Sequence, residues 1–284
     1  MKPFITFFIV LCAGAAWLMA SNPAISSVQP DTATDKSCET VQSSFAAGEI
    51  ATYKIYYNWT AMWMSAGTVN FKVADAQLYN KSAFHVTAIG KTDAKFNWFY
   101  KVNDQYESYI DPKTMLPLQA SSKISEGTYT KENLCTFNHP QSEVLVNYYK
   151  RKGELKAQNE RQTITPCAQD LLSAIYYTRC MDYSQMKLND KLHFDLYLDG
   201  KMYTMYLRYL GKENVETDLG DFRCAKFGLQ LLAGDVFKGG EMTIWSTDDK
   251  NRVPVLIESP LVMGSVKCYL TKVSGLKHQL SSKL

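Results

Sequence analysis

Histidine is scarce in this 284-residue chain, with four in all, and no two stand at metal-ligand spacing or beside a nucleophile motif. G-x-S-x-G, H-E-x-x-H, Walker and G-x-G-x-x-G motifs are absent, which removes the enzyme classes that announce themselves in sequence. No C-x-x-C pair occurs, so neither a zinc ribbon nor a thioredoxin-type dithiol is expected, and nothing calls for a cofactor. Charge of one sign is missing too: 31 basic residues face 28 acidic ones, a net charge of +3 that builds no field for nucleic acid. Beyond the first twenty residues there is no long apolar run, so no transmembrane segment is expected in the mature chain. Internal repeats are absent as well.

What is present begins at the N-terminus. Lys2 precedes a nearly continuous apolar run from Phe4 to Leu18, followed by Ala20-Ser21. A basic start, an apolar centre and a small residue at the exit describe a secretory signal over residues 1–20. The run falls short of the ~20 apolar residues of a comfortable anchor. Cys12 lies inside it behind Ile9-Val10-Leu11, not behind a small residue, which argues against a lipidated start. The reading places the protein in the periplasm or cell envelope of a Gram-negative bacterium. Residues 21–44, rich in Ser, Thr, Asp and Pro, read as a flexible leader. Residues 45–284 remain for one all-β domain with a sizeable core.

Six cysteines follow the signal: Cys38, Cys135, Cys167, Cys180, Cys224 and Cys268. An even count in an exported chain permits disulfides. Cys167 and Cys180 bracket a helical segment that holds them ~20 Å apart, beyond disulfide reach. Cys224 and Cys268 lie in strand-like runs, FRCAKF and VKCYL, and are candidates for a cross-strand disulfide; buried free thiols are the alternative.

Period-two alternation dominates the body. It runs through Ala51–Tyr57, Gly67–Val73, Ala83–Ile89, His193–Leu198, Met202–Tyr209, Arg223–Leu229, Met242–Trp245, Val253–Ile257 and Val266–Val273. Lys101–Pro112 reads as a strand ending in a turn, with Tyr106 and Tyr109 on opposite faces. Hairpin signals stand at Asp199-Gly200, Asp218–Asp221 and Asp248–Asn251. More than ten strands at this spacing predict large curved antiparallel sheets, barrel-like or sandwich. One segment differs: Ala168, Leu171, Leu172, Ile175 and Tyr176 fall on one helical face, behind Thr165 as N-cap and Pro166 at the first position. This predicts an amphipathic helix from Pro166 to Met181, packed on the sheet. A second helical turn is expected over Ala94–Tyr100.

Eighteen tyrosines and five tryptophans suit half-buried sheet faces and binding surfaces. Trp59, Met62, Trp63 and Met64 crowd a strand end and read either as a hairpin core or as the lip of an apolar pocket. Trp59, Trp63 and Trp98 are the candidate ligand-binding residues; no catalytic or metal-binding residue is assigned. Asp104, Glu107, Glu126, Glu241 and Asp248 are the carboxylates available to a glycosidase-like pair, and each reads as a turn or surface residue.

Four blocks in order, NWFYKVNDQYESYIDPKTMLP, QDLLSAIYYTR, LRYLGKE and VFKGGEMTIWSTDDKNRVPVLIESPLVMGSVK, resemble the exported bacterial family called domain of unknown function 3108. The resemblance runs from about Gly48 to about Gly275 and has a Bacteroidetes-like wording. It implies coiled antiparallel sheets around little helix, similar to the YmcC-like group. It transfers no catalytic residue. The function expected is non-catalytic binding of a lipid, a glycan or an envelope protein. An assembly subunit that pairs through a sheet edge is the alternative, and a carbohydrate-active hydrolase the second alternative.

Overall fold

Alternating buried and exposed side chains build fourteen strands in the computed structural model, which describes residue 38 and residues 40–58, 62–96, 100–231, 241–261 and 264–284. The strands are β1 (Ile50–Asn58), β2 (Trp63–Leu78), β3 (Lys81–Thr92), β4 (Asn103–Ile110), β5 (Pro117–Glu126), β6 (Tyr129–Asn138), β7 (Glu143–Arg151), β8 (Glu154–Thr163), β9 (Lys191–Leu198), β10 (Lys201–Thr217), β11 (Gly220–Leu231), β12 (Met242–Thr247), β13 (Pro254–Pro260) and β14 (Ser265–Ser274). Among the described residues one α-helix, α1 (Leu171–Cys180), lies between β8 and β9, and 3-10 turns cover Ala94–Phe96 and His139–Gln141. The expected signal, leader residues up to 37, Trp59 and Trp98 lie outside the described residues.

All fourteen strands form one antiparallel sheet in the order β8-β7-β6-β5-β4-β3-β2-β1-β14-β13-β12-β11-β10-β9. The first and last strands therefore pair at the centre. The chain steps outward from β1 to the edge at β8, crosses through α1 to the other edge at β9, and steps back to β14. Next-neighbour hairpins need only short turns. The sheet is not closed, since β8 and β9 share no ladder. Bulges at Thr52/Tyr53, Ile55/Tyr56, Leu134/Cys135 and Tyr209/Gly211 add local bend and twist. This is the all-β, barrel-like form of the expectation, with one packed helix.

The curl creates an inside, and α1 fills part of it. Leu172, Tyr176 and Cys180 join the main core with Phe45, Val86, Tyr106, Ile110 and Leu270. Ile175 is only half-buried and packs at its margin. Helix α1 starts later than the sequence predicts. Its N-cap is Asp170, whose carboxylate accepts from the Leu172 and Ser173 amides at 2.8 and 3.3 Å while Ser173 Oγ accepts from the Asp170 amide at 2.8 Å. That capping box satisfies more orphan donors than Thr165 does, and the cap moves five residues on. At the other end, Arg179 donates to both oxygens of Glu49 at 2.6 and 2.9 Å and to the Asn251 carbonyl at 3.0 Å. It also lies over the rings of Tyr176 and Phe45. The pair ties α1 to the start of β1 and to the β12–β13 turn.

The disulfide differs from the candidate pair. Cys38 bonds Cys167, and Cys224 and Cys268 are buried and outside any disulfide. Cys224 is on β11 and Cys268 on β14, with two strands between them; three interstrand spacings separate them by ~14 Å, twice what a disulfide spans. Cys38 carries the end of the predicted leader onto the body, where the Val41 amide donates to the Lys113 carbonyl at 2.8 Å and Phe45 is fully buried.

Candidate functional site

Three strands supply one wall of an interior cleft. On β4 the inward positions are Asp104, Tyr106, Ser108 and Ile110; on β6 they include Lys131, Cys135 and Phe137. Between them β5 turns Ser122, Ile124 and Glu126 inward. Across the cleft stand Tyr197, Leu198 and Asp199 at the end of β9, and Asp170 to Leu172 at the start of α1. The cleft is half open to solvent and its free volume is about 40 Å³, small beside the pockets that enclose whole ligands.

Its lining is mixed. Tyr106, Phe137 and Tyr197 give aromatic surface, Ala120, Leu171, Leu172 and Leu198 aliphatic surface. Polar groups come in pairs. Lys131, almost wholly buried, donates to both oxygens of Asp199 at 2.8 and 2.9 Å. Ser122 donates to Asn133 Oδ1 at 2.5 Å, and Ser108 to Asp170 Oδ2 at 2.5 Å. The Asp199-Gly200 turn presents this carboxylate with positive φ at both residues, +49° and +77°, a conformation Asp-Gly accommodates well. Burial raises the Asp170 carboxyl above the usual range against the hydrogen bonds that favour its ionised form, and burial lifts the Cys135 thiol to about 12.

Beneath the Lys131 side of the cleft, Asp104 and Glu126 share a side-chain hydrogen bond. Both are buried, where their sequence context reads as turn or surface. Burial pushes both carboxyls up. Glu126 rises further because the Asp104 charge beside it opposes a second negative charge. Their direct contact is closer than the ~5–10 Å between carboxyls that work on a glycosidic bond.

The sequence-predicted residues fall elsewhere. Trp63 is exposed at the start of β2, outside the cleft, with the Lys267 ammonium 4.8 Å from its ring centroid. His139 lies between the Pro117 and Pro166 carbonyls, and His85 bonds Glu107 while stacking on Tyr109. Among the described residues no group of three His, Cys, Asp or Glu side chains is arranged to hold a metal. Lys131, Asn133, Asp199 and Tyr197 carry the cleft; the Asp199-Gly200 hairpin signal and the His193–Leu198 alternation place the last two on a strand end, and no local motif marks Lys131 or Asn133. The parity of Tyr106 on β4 and the Leu171-Leu172 stripe of the predicted helix reach it as well.

The family model for DUF3108, protein of unknown function, matches residues 52–271. The chain belongs to that family. A crystal structure of a β-barrel-like protein of domain of unknown function DUF1849 from Brucella abortus is similar at a TM-score of 0.53 and 8% identity, over 81% of this chain and 98% of that one. At that identity the likeness speaks for the fold alone. Weaker likenesses are to a putative exported protein with YmcC-like fold from Bacteroides fragilis, at 14% identity and TM-score 0.35, and to a putative lipoprotein from Parabacteroides distasonis, at 12% and 0.37. Each covers 83% of this chain and 99% of the other. No curated protein matches.

Proposed function

We propose that this chain is an exported, non-catalytic binding protein of the bacterial envelope, and that the mouth of this cleft holds the edge of a hydroxyl-rich ligand, a glycan fragment. The observation that carries the reading is the lining of that cleft: three aromatic side chains beside the Lys131–Asp199 and Ser122–Asn133 pairs. Sugar hydroxyls both donate and accept. A carboxylate, an amide and a hydroxyl each keep capacity beyond the bonds they already make, and aromatic faces cover the apolar side of a sugar ring. Export is supported by the signal-like residues 1–20 and by the Cys38–Cys167 disulfide, a bond that persists in oxidising compartments.

The test is native mass spectrometry of the protein purified from its own envelope, followed by calorimetric titration with envelope glycan and lipid fractions. Glycan fragments are expected to bind the wild type and to lose at least tenfold in affinity with Asn133→Ala, a half-buried position, with circular dichroism and the thermal midpoint checked alongside. Binding of lipid fractions alone, or glycan affinity unchanged in the variant, would move the ligand out of this class or out of this cleft.

A second reading rests on a separate observation. Edge strand β8 is exposed along nearly its whole length and offers one unpaired side, so it is available for strand addition by an assembly partner. Its charges, including Glu154, Lys156, Glu160 and Arg161, guard that edge against promiscuous pairing. Co-purification of a stoichiometric protein that Gln158→Pro abolishes would support this reading over the first.

A further inference from the structure

We propose that Asp104, Glu126 and Lys131 form a pH-operated clasp between the two halves of the sheet: Lys131 holds Asp199 while the carboxyl pair keeps a proton, and turns to the pair once that proton is lost. Lys131 stands on β6 and Asp199 at the β9–β10 turn. Their bonds at 2.8 and 2.9 Å therefore join one half of the sheet to the other where no ladder does. The same turn rests on β8, since a Cβ on Gly200 would lie 3.6 Å from Gln162 Oε1. Releasing Asp199 loosens this turn, and Asp199 also lines the cleft. The clasp acts whatever the cleft holds.

Register sets the second partner beside Lys131. Ile124 pairs with Lys131 and Glu126 with Tyr129, so Glu126 and Lys131 are diagonal neighbours on the inner face, within reach of a long flexible stem. Gln105 pairs with Lys123, which sets Asp104 opposite Ile124 in the same row. Asp104 and Glu126 are 3% and 4% exposed. Asp104 Oδ1 accepts from the Ser125 amide at 3.0 Å, whereas Glu126 Oε1 is buried and takes no hydrogen bond. A neutral carboxyl whose proton serves Asp104 tolerates that at modest cost; a buried carboxylate needs a donor. The Lys131 ammonium is the cation whose charge both carboxyls feel. Once ionised, the pair sets two buried negative charges against the one on Asp199, whose side chain is 22% exposed and can turn to solvent.

The other titratable and charged groups around the clasp are neutral or engaged. The Tyr100 phenol faces the pair from the segment before β4, and Tyr129, Tyr149, Tyr197 and Tyr203 face Asp199 from β6, β7, β9 and β10. Burial raises each phenol above its ordinary range, so all five stay neutral. Burial does the same to the Cys135 thiol on β6. Arg151 lies over the Tyr129 ring, and Asp170 is held by Ser108 and by the Leu172 and Ser173 amides.

The experiment is hydrogen exchange of the full mature chain, read by mass spectrometry from neutral to alkaline pH at matched extents of intrinsic exchange. Protection over residues 196–203 is expected to fall about fivefold or more beyond any change over β1 and β14. Glu126→Gln, which cannot ionise, is expected to keep the turn closed throughout. Asp199→Asn is expected to show the loosened turn already at neutral pH. It also leaves Lys131 to the pair, so by reciprocity the carboxyl resonances of Asp104 and Glu126 are expected to titrate at lower pH in that variant. Circular dichroism of both variants at neutral pH is expected to match the wild type. Wild-type protection over 196–203 that follows the central strands at every pH overturns the proposal. So does a loss that Glu126→Gln shows equally, or a carboxyl titration that Asp199→Asn leaves unmoved.

Discussion

Asp104 and Glu126 set the most specific expectation at the scale of single residues. Two buried carboxyls in direct contact retain a proton that the unfolded chain gives up in the ordinary carboxylate range. The folded state then binds more protons than the unfolded one, so stability falls as pH rises from that range into alkaline conditions. Urea unfolding followed against pH is expected to show this slope, and Glu126→Gln to flatten it, with a gain of ~1–3 kcal/mol at mildly alkaline pH. A wild-type slope that survives in the variant would place the titrating group elsewhere. The sequence tells little of this pair. Period two assigns Asp104 to the face of Tyr106, but nothing local reveals that the curl of the sheet takes that face out of water. Cys224 and Cys268 make the same point: alternation puts both inside, and only strand order reveals the two strands between them.

At the scale of elements, α1 shows which patterns survive translation into structure. Its apolar stripe is legible, because residues three and four apart must face the same way. Its start is not, because Thr165-Pro166 is a sound local cap that loses to a better one at Asp170. Leu172→Ala is expected to cost ~2–5 kcal/mol, and Ile175→Ala, at the margin of the core, ~1 kcal/mol. Equal costs in denaturant titration would mean that the helix is rotated from the position described. Arg179→Met is expected to be worse than its lost packing, ~3–5 kcal/mol, because Glu49 is left buried and uncompensated. Adding Glu49→Met is then expected to recover part of that loss. Strands β5 to β8 are the elements that sequence reading passes over. In ELKAQNERQT of β8 both faces are polar, as suits an edge strand, so there is no alternation to see. In β5 the inward row mixes Ser122 at the cleft, Ile124 in the main core and Glu126 beside Asp104, so no apolar alternation shows. Strand patterning fades where the cleft begins.

The whole molecule is an open sheet whose two edge strands share no ladder, and a few contacts near Gln162 and Asp199 tie its two ends together. Tyr197 donates to Gln162 Oε1 at 2.8 Å, Lys131 reaches Asp199, and Gln169 adds one stretch of parallel pairing to β9. The Cys38–Cys167 disulfide fastens the N-terminal arm to the connection that enters α1, closing a span of 129 residues. Closing so long a loop removes chain entropy from the unfolded state, by ~4–5 kcal/mol on the loop-length scale and less where the unfolded chain keeps structure. Cys38→Ser combined with Cys167→Ser is therefore expected to lower stability by ~2–5 kcal/mol. The loss is not uniform across the fold. The central strands β14, β1, β2 and β3 are paired on both sides and packed on the main core, so their amides are expected to keep the slow exchange of global unfolding. Amides of residues 40–45 and 164–170 sit beside the missing bond, and their exchange is expected to quicken well before the centre responds. Hydrogen exchange read by mass spectrometry separates the two regions. Uniform acceleration would mean that the disulfide acts only on the unfolded chain, and no acceleration near residues 164–170 would mean that the hydrogen bonds of Gln169 hold that connection without it.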